Sequence, residues 1–204
     1  NVYEMVGAFG TYANQGVYVK PVMVTRIEDK NGTVLYEYTP ETKDVLSKDV
    51  AYAMVNLLEG VTQYGSGAWL RGDYHKNETR FKEVMSGYPY NFENPIAGKT
   101  GTTQNQSDGW FMGTVPNLVT GVWVGGEERS IHFSSISYGQ GAVMSLPIWA
   151  LYMKKNYAND ELGISKEAFE EPEEMSINID CSKEQEDEEQ EKIDTEDDLD
   201  DLDF

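Results

Sequence analysis

One stretch of the 204-residue chain combines the residue types that chemistry needs: Ala97-Gly98-Lys99-Thr100-Gly101-Thr102-Thr103. Two chemistries can be read from it. A phosphate-binding loop requires G-x-x-x-x-G-K-[ST], and Gly98-Lys99-Thr100 supplies the end of that pattern. The position five before Gly98 is Glu93, which brings negative charge toward a phosphate, and Pro95 lacks the N–H that a cradle needs. The other reading is a peptide-binding strand. Lys99 offers an ammonium for a carboxylate and for proton transfer, Thr100 and Thr102 offer hydroxyls to hold that carboxylate, and Thr103 closes the run. Gly101 has no Cβ, so a peptide can approach the backbone closely. Free N–H and C=O groups along such an edge accept an extended peptide as an added strand. The N–H of Thr102 can donate to an oxyanion during acyl transfer, an effect of about 3 kcal/mol on the barrier.

The neighbouring sequence decides between the two. Asp108-Gly109-Trp110-Phe111-Met112-Gly113 and Val122-Trp123-Val124-Gly125 follow the lysine segment. Upstream lie Tyr3-Glu4-Met5, Ala8-Phe9-Gly10-Thr11-Tyr12-Ala13-Asn14-Gln15-Gly16 and the turn Gly65-Ser66-Gly67, and downstream Pro147-Ile148-Trp149. Together these segments resemble the end of the transpeptidase domain of penicillin-binding proteins, most closely the bifunctional class A enzymes. The resemblance covers about residues 1–157, with residues 71–94 and the tail matching poorly.

That resemblance implies a mechanism. A serine attacks the D-Ala-D-Ala peptide of a peptidoglycan stem, releases the terminal D-Ala and passes the acyl group to an amine on a neighbouring stem. β-Lactams acylate the same serine. It implies Lys99 and Thr102 as catalytic residues and Thr100, Gly101, Thr102 and Thr103 as substrate-binding ones. Peptidoglycan stem peptides and β-lactams are the implied ligands, with no cofactor and no metal. The family's serine heads an S-x-x-K motif, followed by S-x-N, both upstream of K-T-G. No Ser in this chain has Lys three residues later. The nearest imitation is Thr79-Arg80-Phe81-Lys82, in a stretch that reads as an irregular polar loop. Ser176-Ile177-Asn178 matches S-x-N but lies after K-T-G. A start without Met, inside a helical pattern, then predicts the carboxy-terminal part of a longer enzyme, inactive alone. Its partner would be the missing amino-terminal part of the same domain. The parent would work at the outer face of the plasma membrane. The same fold would also serve a non-catalytic module that binds a cell-wall peptide or a protein.

The elements that must position these residues can be read from periodicity. Residues 2–12 carry Val2, Met5, Val6 and Phe9 at helical spacing, and Gly16 suits the helix stop. From Val17 the period changes to two, with Val22, Val24 and Ile27 expected on one face. Asn31-Gly32 between two β-prone runs predicts a hairpin. Ser47 is a candidate N-cap for a helix to about Gly60, with Val50, Ala53, Met54, Leu57, Leu58 and Val61 as its apolar stripe. Residues 62–94 read as a loop or insertion, with Tyr74, Tyr88, Tyr90 and Phe92 bordering a cleft or packing the loop. Three strands at 95–103, 109–115 and 118–125 predict an antiparallel meander. Trp110, Phe111, Trp123 and Trp149 are read as core. A last helix is expected over about 145–157, with Pro147 in its first turn. The fold class is α+β: an antiparallel sheet with packed helices, part of the penicillin-binding protein and serine β-lactamase-like fold.

Charge divides the chain in two. Residues 1–159 carry 15 acids and 13 bases, whereas residues 160–204 carry 21 acids and 3 bases, a net of −18. The first part is the expected transpeptidase portion. The second is expected to be a disordered acidic tail, because its composition cannot bury enough apolar surface to offset ordering entropy. It can also bind a protein partner. No basic stripe exists to neutralise phosphates, so nucleic acid is not an expected partner. The longest apolar run, Leu146 to Met153, is too short to cross a bilayer. Cys181 stands alone, and His75 and His132 have no carboxylate or Cys at ligand spacing.

Overall fold

Five helices and seven short strands, in three separate sheets, make up the computed structural model, which describes residues 1–72 and 79–179. Two compact units divide the chain, Asn1–Pro172 and Glu173–Phe204, and the first holds every one of these elements. Residues Gln185 to Phe204, Cys181, Tyr74 and His75 lie outside the described residues. Among the described residues no helix is long and apolar enough to cross a membrane.

Helix α1 (Val2–Ala13) is capped by Asn1, whose side chain accepts the Glu4 N–H at 3.0 Å. It ends where expected: Gln15 and Gly16 take positive φ. A Cβ at Gly16 would lie 2.2 Å from the Leu46 carbonyl oxygen, so close approach as well as handedness requires glycine there.

The β-prone run after Gly16 does not form one strand. It breaks around Pro21, which cannot donate to a ladder, into β1 (Val17–Val19) and β2 (Arg26–Glu28). Strand β1 pairs with β4 (Thr42–Asp44), and β2 pairs with β3 (Val34–Glu37), both antiparallel. The Asn31-Gly32 hairpin is present, but only Gly32 takes positive φ. Asp29 organises the turn instead: its carboxylate accepts the N–H groups of Asn31 and Thr33, at 2.7 and 2.9 Å. Those two bonds hold the Asp29 carboxyl below its usual pKa range. Val22, Val24 and Ile27 are exposed, not core.

Helix α2 (Lys48–Gln63) starts at Ser47 as read, although the serine side chain makes no capping bond. Its buried face is Ala51, Val55, Leu58 and Thr62. The expected stripe is therefore rotated, and Leu57 is 67% exposed. The polar Thr62 goes inside because its hydroxyl donates to the Ile96 carbonyl, a partner that helical periodicity does not reveal.

Residues 62–94 contribute to the main core and are no mere insertion. A 3-10 turn (Ala68–Arg71) and helix α3 (Thr79–Val84) punctuate them. Leu70, Met85, Tyr90 and Phe92 are buried with Ile96, Phe111, Leu146 and Trp149. Thr79 to Lys82, read as an irregular loop, are helical.

The meander is as expected: β5 (Ala97–Thr102), β6 (Asp108–Val115) and β7 (Leu118–Gly125) form an antiparallel sheet in that order. Register pairs Thr100 with Phe111 and Trp110 with Trp123. Side chains alternate between faces. One face carries Ala97, Met112 and Val119 against α1 and α2; the other carries Phe111, Val115 and Val122 against the last helix. That helix, α5 (Gly141–Tyr157), begins four residues earlier than its sequence suggests and follows the short α4 (Ile136–Gly139). Pro147 consequently sits inside α5 rather than in its first turn. The early start is made by Gly141, where a Cβ would meet the Gly101 and Trp110 carbonyl oxygens at 2.3 and 2.5 Å. The body also continues beyond residue 159. Asn117 donates to the Gly163 carbonyl and accepts the Ser165 N–H, each at 2.8 Å, and Phe169 packs beside Phe9 and Val55.

Candidate active site

Among the described residues strand β5 is an edge strand, with β6 on one side and no strand on the other. Beyond its end the Thr103 N–H donates to the Asp108 carbonyl at 3.0 Å. In an antiparallel ladder hydrogen-bonding direction alternates residue by residue. The N–H and C=O groups of Thr102 and Thr100 therefore point away from β6, toward the open edge. The Thr102 N–H, singled out as an oxyanion donor, is one of them. The Thr100 carbonyl is another, and the Lys99 ammonium caps it at 2.8 Å.

Each side chain of the motif has a defined neighbour. Lys99 is exposed on the face shared with α1 and lines a cavity of about 240 Å³ with Met5, Phe9, Thr100, Gly101, Trp110 and Met112. A Cβ on Gly101 would lie 3.1 Å from the Trp110 Cβ, so this position is tight as well as bare. The Thr100 hydroxyl meets the Ser66 hydroxyl at 2.5 Å. The Thr102 hydroxyl accepts the Gly141 N–H at 2.9 Å. Thr103 belongs to a separate network: its hydroxyl donates to Asp108 Oδ2 at 2.9 Å and accepts the Asp108 N–H at 2.9 Å. Ser107 donates to the same carboxylate oxygen, and the Trp123 indole N–H to the other at 3.0 Å. The Thr103 hydroxyl first, then Trp123 and Ser107, hold the Asp108 carboxyl below its usual range. Thr103 thus fixes the β5–β6 connection, while Lys99, Thr100, Gly101 and Thr102 occupy the edge itself.

The phosphate-loop alternative needs a helix opening at Lys99-Thr100. Both residues lie within a strand, which is followed only by a 3-10 turn (Gln104–Gln106) and not by an α-helix. Of the aromatics read as core, Phe111 and Trp149 are fully buried and Trp110 is half-buried. Trp123 is 41% exposed, on the Lys99 face. The Thr79–Lys82 segment lies in α3, and Ser176-Ile177-Asn178 in the second unit. Among the described residues no group of three or more His, Cys, Asp and Glu side chains could hold a metal ion.

The residue that seats β5 belongs to no motif of the sequence. The Arg71 guanidinium donates to the carbonyls of Phe92 and Asn94 at 3.1 and 2.6 Å, and to the Thr62 hydroxyl at 3.0 Å. Thr62 in turn holds the Ile96 carbonyl. Burial lowers the Arg71 pKa and the Glu59 carboxylate opposes that shift; burial raises the Glu59 pKa, with Arg71 opposing. The only sequence signal was a lone base, Arg71, after Gly65-Ser66-Gly67-Ala68-Trp69-Leu70. Ser66 stands in a glycine turn, and nothing local in the sequence ties it to Thr100.

Comparison with known proteins bears on the family and the fold. Residues 1–144 match the family described as "Penicillin binding protein transpeptidase domain". Penicillin-binding protein 1A of Aquifex aeolicus is 32% identical over 179 residues, 86% of this chain and 21% of the relative. Penicillin-binding protein 1A of Clostridium acetobutylicum is 32% identical over 160 residues, 78% of this chain and 17% of the relative. The chain therefore spans about a fifth of the length of the curated relatives it matches. Among solved structures, PonA1 of Mycobacterium tuberculosis in complex with penicillin V is 27% identical with a TM-score of 0.62. That alignment covers 86% of this chain and 42% of PonA1. Penicillin-binding protein 1A of Haemophilus influenzae, at 21% identity, shares the fold with a TM-score of 0.60 over 83% of this chain and 28% of its own.

Proposed function

The chain belongs to the penicillin-binding protein transpeptidase family, on its class A branch, and from that membership we propose that β5 is the substrate strand of a peptidoglycan D,D-transpeptidase. The observation that carries this reading is the open edge of β5, where the Thr100 and Thr102 backbone groups point outward between an exposed lysine and two threonine hydroxyls. An acyl-D-Ala-D-Ala peptide would lie antiparallel along that edge, its backbone completing the unused ladder groups. Its terminal carboxylate would take the hydroxyls of Thr100 and Thr102, with Lys99 supplying compensating charge.

During acyl transfer a serine oxygen would bond to the carbonyl carbon of the penultimate D-Ala, and the carbon–nitrogen bond to the terminal D-Ala would break. The leaving amine would take the proton given up by the serine. Negative charge developing on the carbonyl oxygen would meet the Thr102 N–H. The nucleophile must come from outside this sequence, since no S-x-x-K occurs in it. The activity would belong at the outer face of the plasma membrane, and β-lactams would occupy the same edge; PonA1, which shares the fold, forms a complex with penicillin V.

Two measurements test this. N-acetyl-D-Ala-D-Ala titrated into the labelled chain is expected to shift the amide resonances of residues 99–103 and to leave those of β3 unmoved. Shifts confined to another surface would overturn the assignment. Fluorescent penicillin is expected to leave the chain unlabelled alone, and to label an S-x-x-K segment supplied in trans; covalent labelling of the chain itself would overturn the external nucleophile. The second reading, a non-catalytic peptide-binding module, is favoured by the missing S-x-x-K. It predicts the same shifts with no labelling under either condition.

A further inference from the structure

The two edge threonines are prepared alike, by different partners. Thr102 accepts a backbone N–H from Gly141, the first residue of α5, at 2.9 Å. That bond occupies a lone pair of its hydroxyl and leaves the O–H free to donate. Thr100 lies two residues earlier on the same side of the strand, and among the described residues no amide donates to its hydroxyl. Its hydroxyl meets Ser66 instead, at 2.5 Å and 34 residues away in sequence.

Ser66 is held in place for this contact. Its turn closes onto the end of α2 through Gly65 N–H to the Gly60 carbonyl at 3.2 Å and Gly67 N–H to the Val61 carbonyl at 3.0 Å. Side chains on either neighbour would crowd that helix: a Cβ at Gly65 would sit 3.0 Å from the Val61 Cα, and one at Gly67 3.2 Å from the Val61 oxygen. The flanking glycines let the turn lie flat on α2, and the only side chain it projects is the serine hydroxyl.

We propose that Ser66 is a positioning residue that donates its O–H to Thr100 and so turns the Thr100 proton toward a ligand carboxylate. A pair of hydroxyls holds two protons and needs only one for its mutual bond. A carboxylate can only accept, so the productive arrangement is Ser66 O–H to Thr100 Oγ1, with the Thr100 O–H presented at the edge. Ser66 then does for Thr100 what the Gly141 N–H does for Thr102, and the edge carries two oriented donors. The proposal rests on the reading of β5 as the substrate strand and adds to it the residue that sets selectivity for a free carboxylate.

The test uses the labelled 204-residue chain and two probes, N-acetyl-D-Ala-D-Ala and its methyl ester, which lacks the carboxylate charge. The unsubstituted chain is expected to bind the acid more tightly than the ester. Ser66→Ala is expected to reduce that acid-over-ester ratio about fivefold, the size of one net hydrogen bond, chiefly by weakening the acid. Ser66→Thr keeps a hydroxyl and is expected to restore the ratio. In a Thr100→Val background Ser66→Ala is expected to change nothing further, because the hydroxyl that it orients is gone. A dispersed amide spectrum reports that each variant is folded. An unchanged ratio in Ser66→Ala, or an equal effect in the Thr100→Val background, overturns the role of Ser66 while leaving β5 as the binding edge. If neither probe shifts residues 99–103 of the unsubstituted chain, the substrate-strand reading fails and the Ser66 role falls with it.

Discussion

The two faces of the β5–β7 sheet are built from the same three strands and meet opposite fates. On one, α5 covers Phe111, Val115 and Val122, and Trp149 is 0% exposed with its ring 5.3 Å from that of Phe111. On the other, α1 and α2 cover Ala97, Met112 and Val119, but the end nearest the motif stays open. There Lys99, Trp123 and Met5 are exposed, and the Trp110 and Trp123 rings pack at a 55° tilt with centroids 6.5 Å apart. Glycine marks the difference. A Cβ at Gly113 would lie 2.4 to 2.6 Å from the Trp149 indole, so the helix on the closed face sits down onto bare backbone. The bare position on the edge, Gly101, faces a cavity. The closed face holds the sheet in place, and the open one leaves a motif-bearing edge accessible.

Substitutions can break or sharpen that contrast. Trp149→Ala on the closed face is expected to cost about 3–5 kcal/mol. A thermal melt that loses cooperativity altogether would meet this expectation, and a shift of only a degree or two would erase the distinction between the faces. Asp108→Asn, on the open face, replaces one of the two carboxylate oxygens that between them accept Thr103, Ser107 and Trp123 with an amide donor, and removes the charge. Because solvent screens that site, the expected loss is no more than about 1 kcal/mol, and it should depend on pH. The folded carboxyl titrates below its ordinary value of 3.8. Its contribution is therefore present above that value and is lost as pH falls through the depressed one. Denaturant midpoints measured down an acid series should converge for the two proteins at the acid end, and a gap that widened there would reverse the sign. Leu57→Ser should do least: the side chain is 67% exposed, so stability should move by less than about 0.5 kcal/mol. A hydrophobic dye should nonetheless bind the variant more weakly, whereas a large destabilisation would mean that Leu57 is covered.

Several local features were legible in the chain itself. The meander, the Asn31-Gly32 hairpin and the stop at Gly16 each follow from side chains a few residues apart, and each is present. The face of α2 was not. Leu57 and Val61 look more apolar than Thr62, but Thr62 goes inside because the Ile96 carbonyl is there to receive its hydroxyl. Residues 62–94 looked like an insertion for a similar reason. Their Gly, Tyr and polar character hides Leu70, Met85, Tyr90 and Phe92, whose burial depends on α5 and on Arg71 binding the carbonyls at 92 and 94.

The K-T-G residues, their order and the residue types around them were fixed by covalent sequence, and so was the family to which they point. Which groups of β5 face outward, which hydroxyl Thr100 meets and which side of the sheet stays open were settled only by tertiary structure. Local pattern specifies strand, turn and helix because those depend on neighbours within a few bonds' reach. Ser66 and Thr100, or Gly141 and Thr102, meet only after chain segments 34 and 39 residues apart have packed, and no short-range rule encodes that.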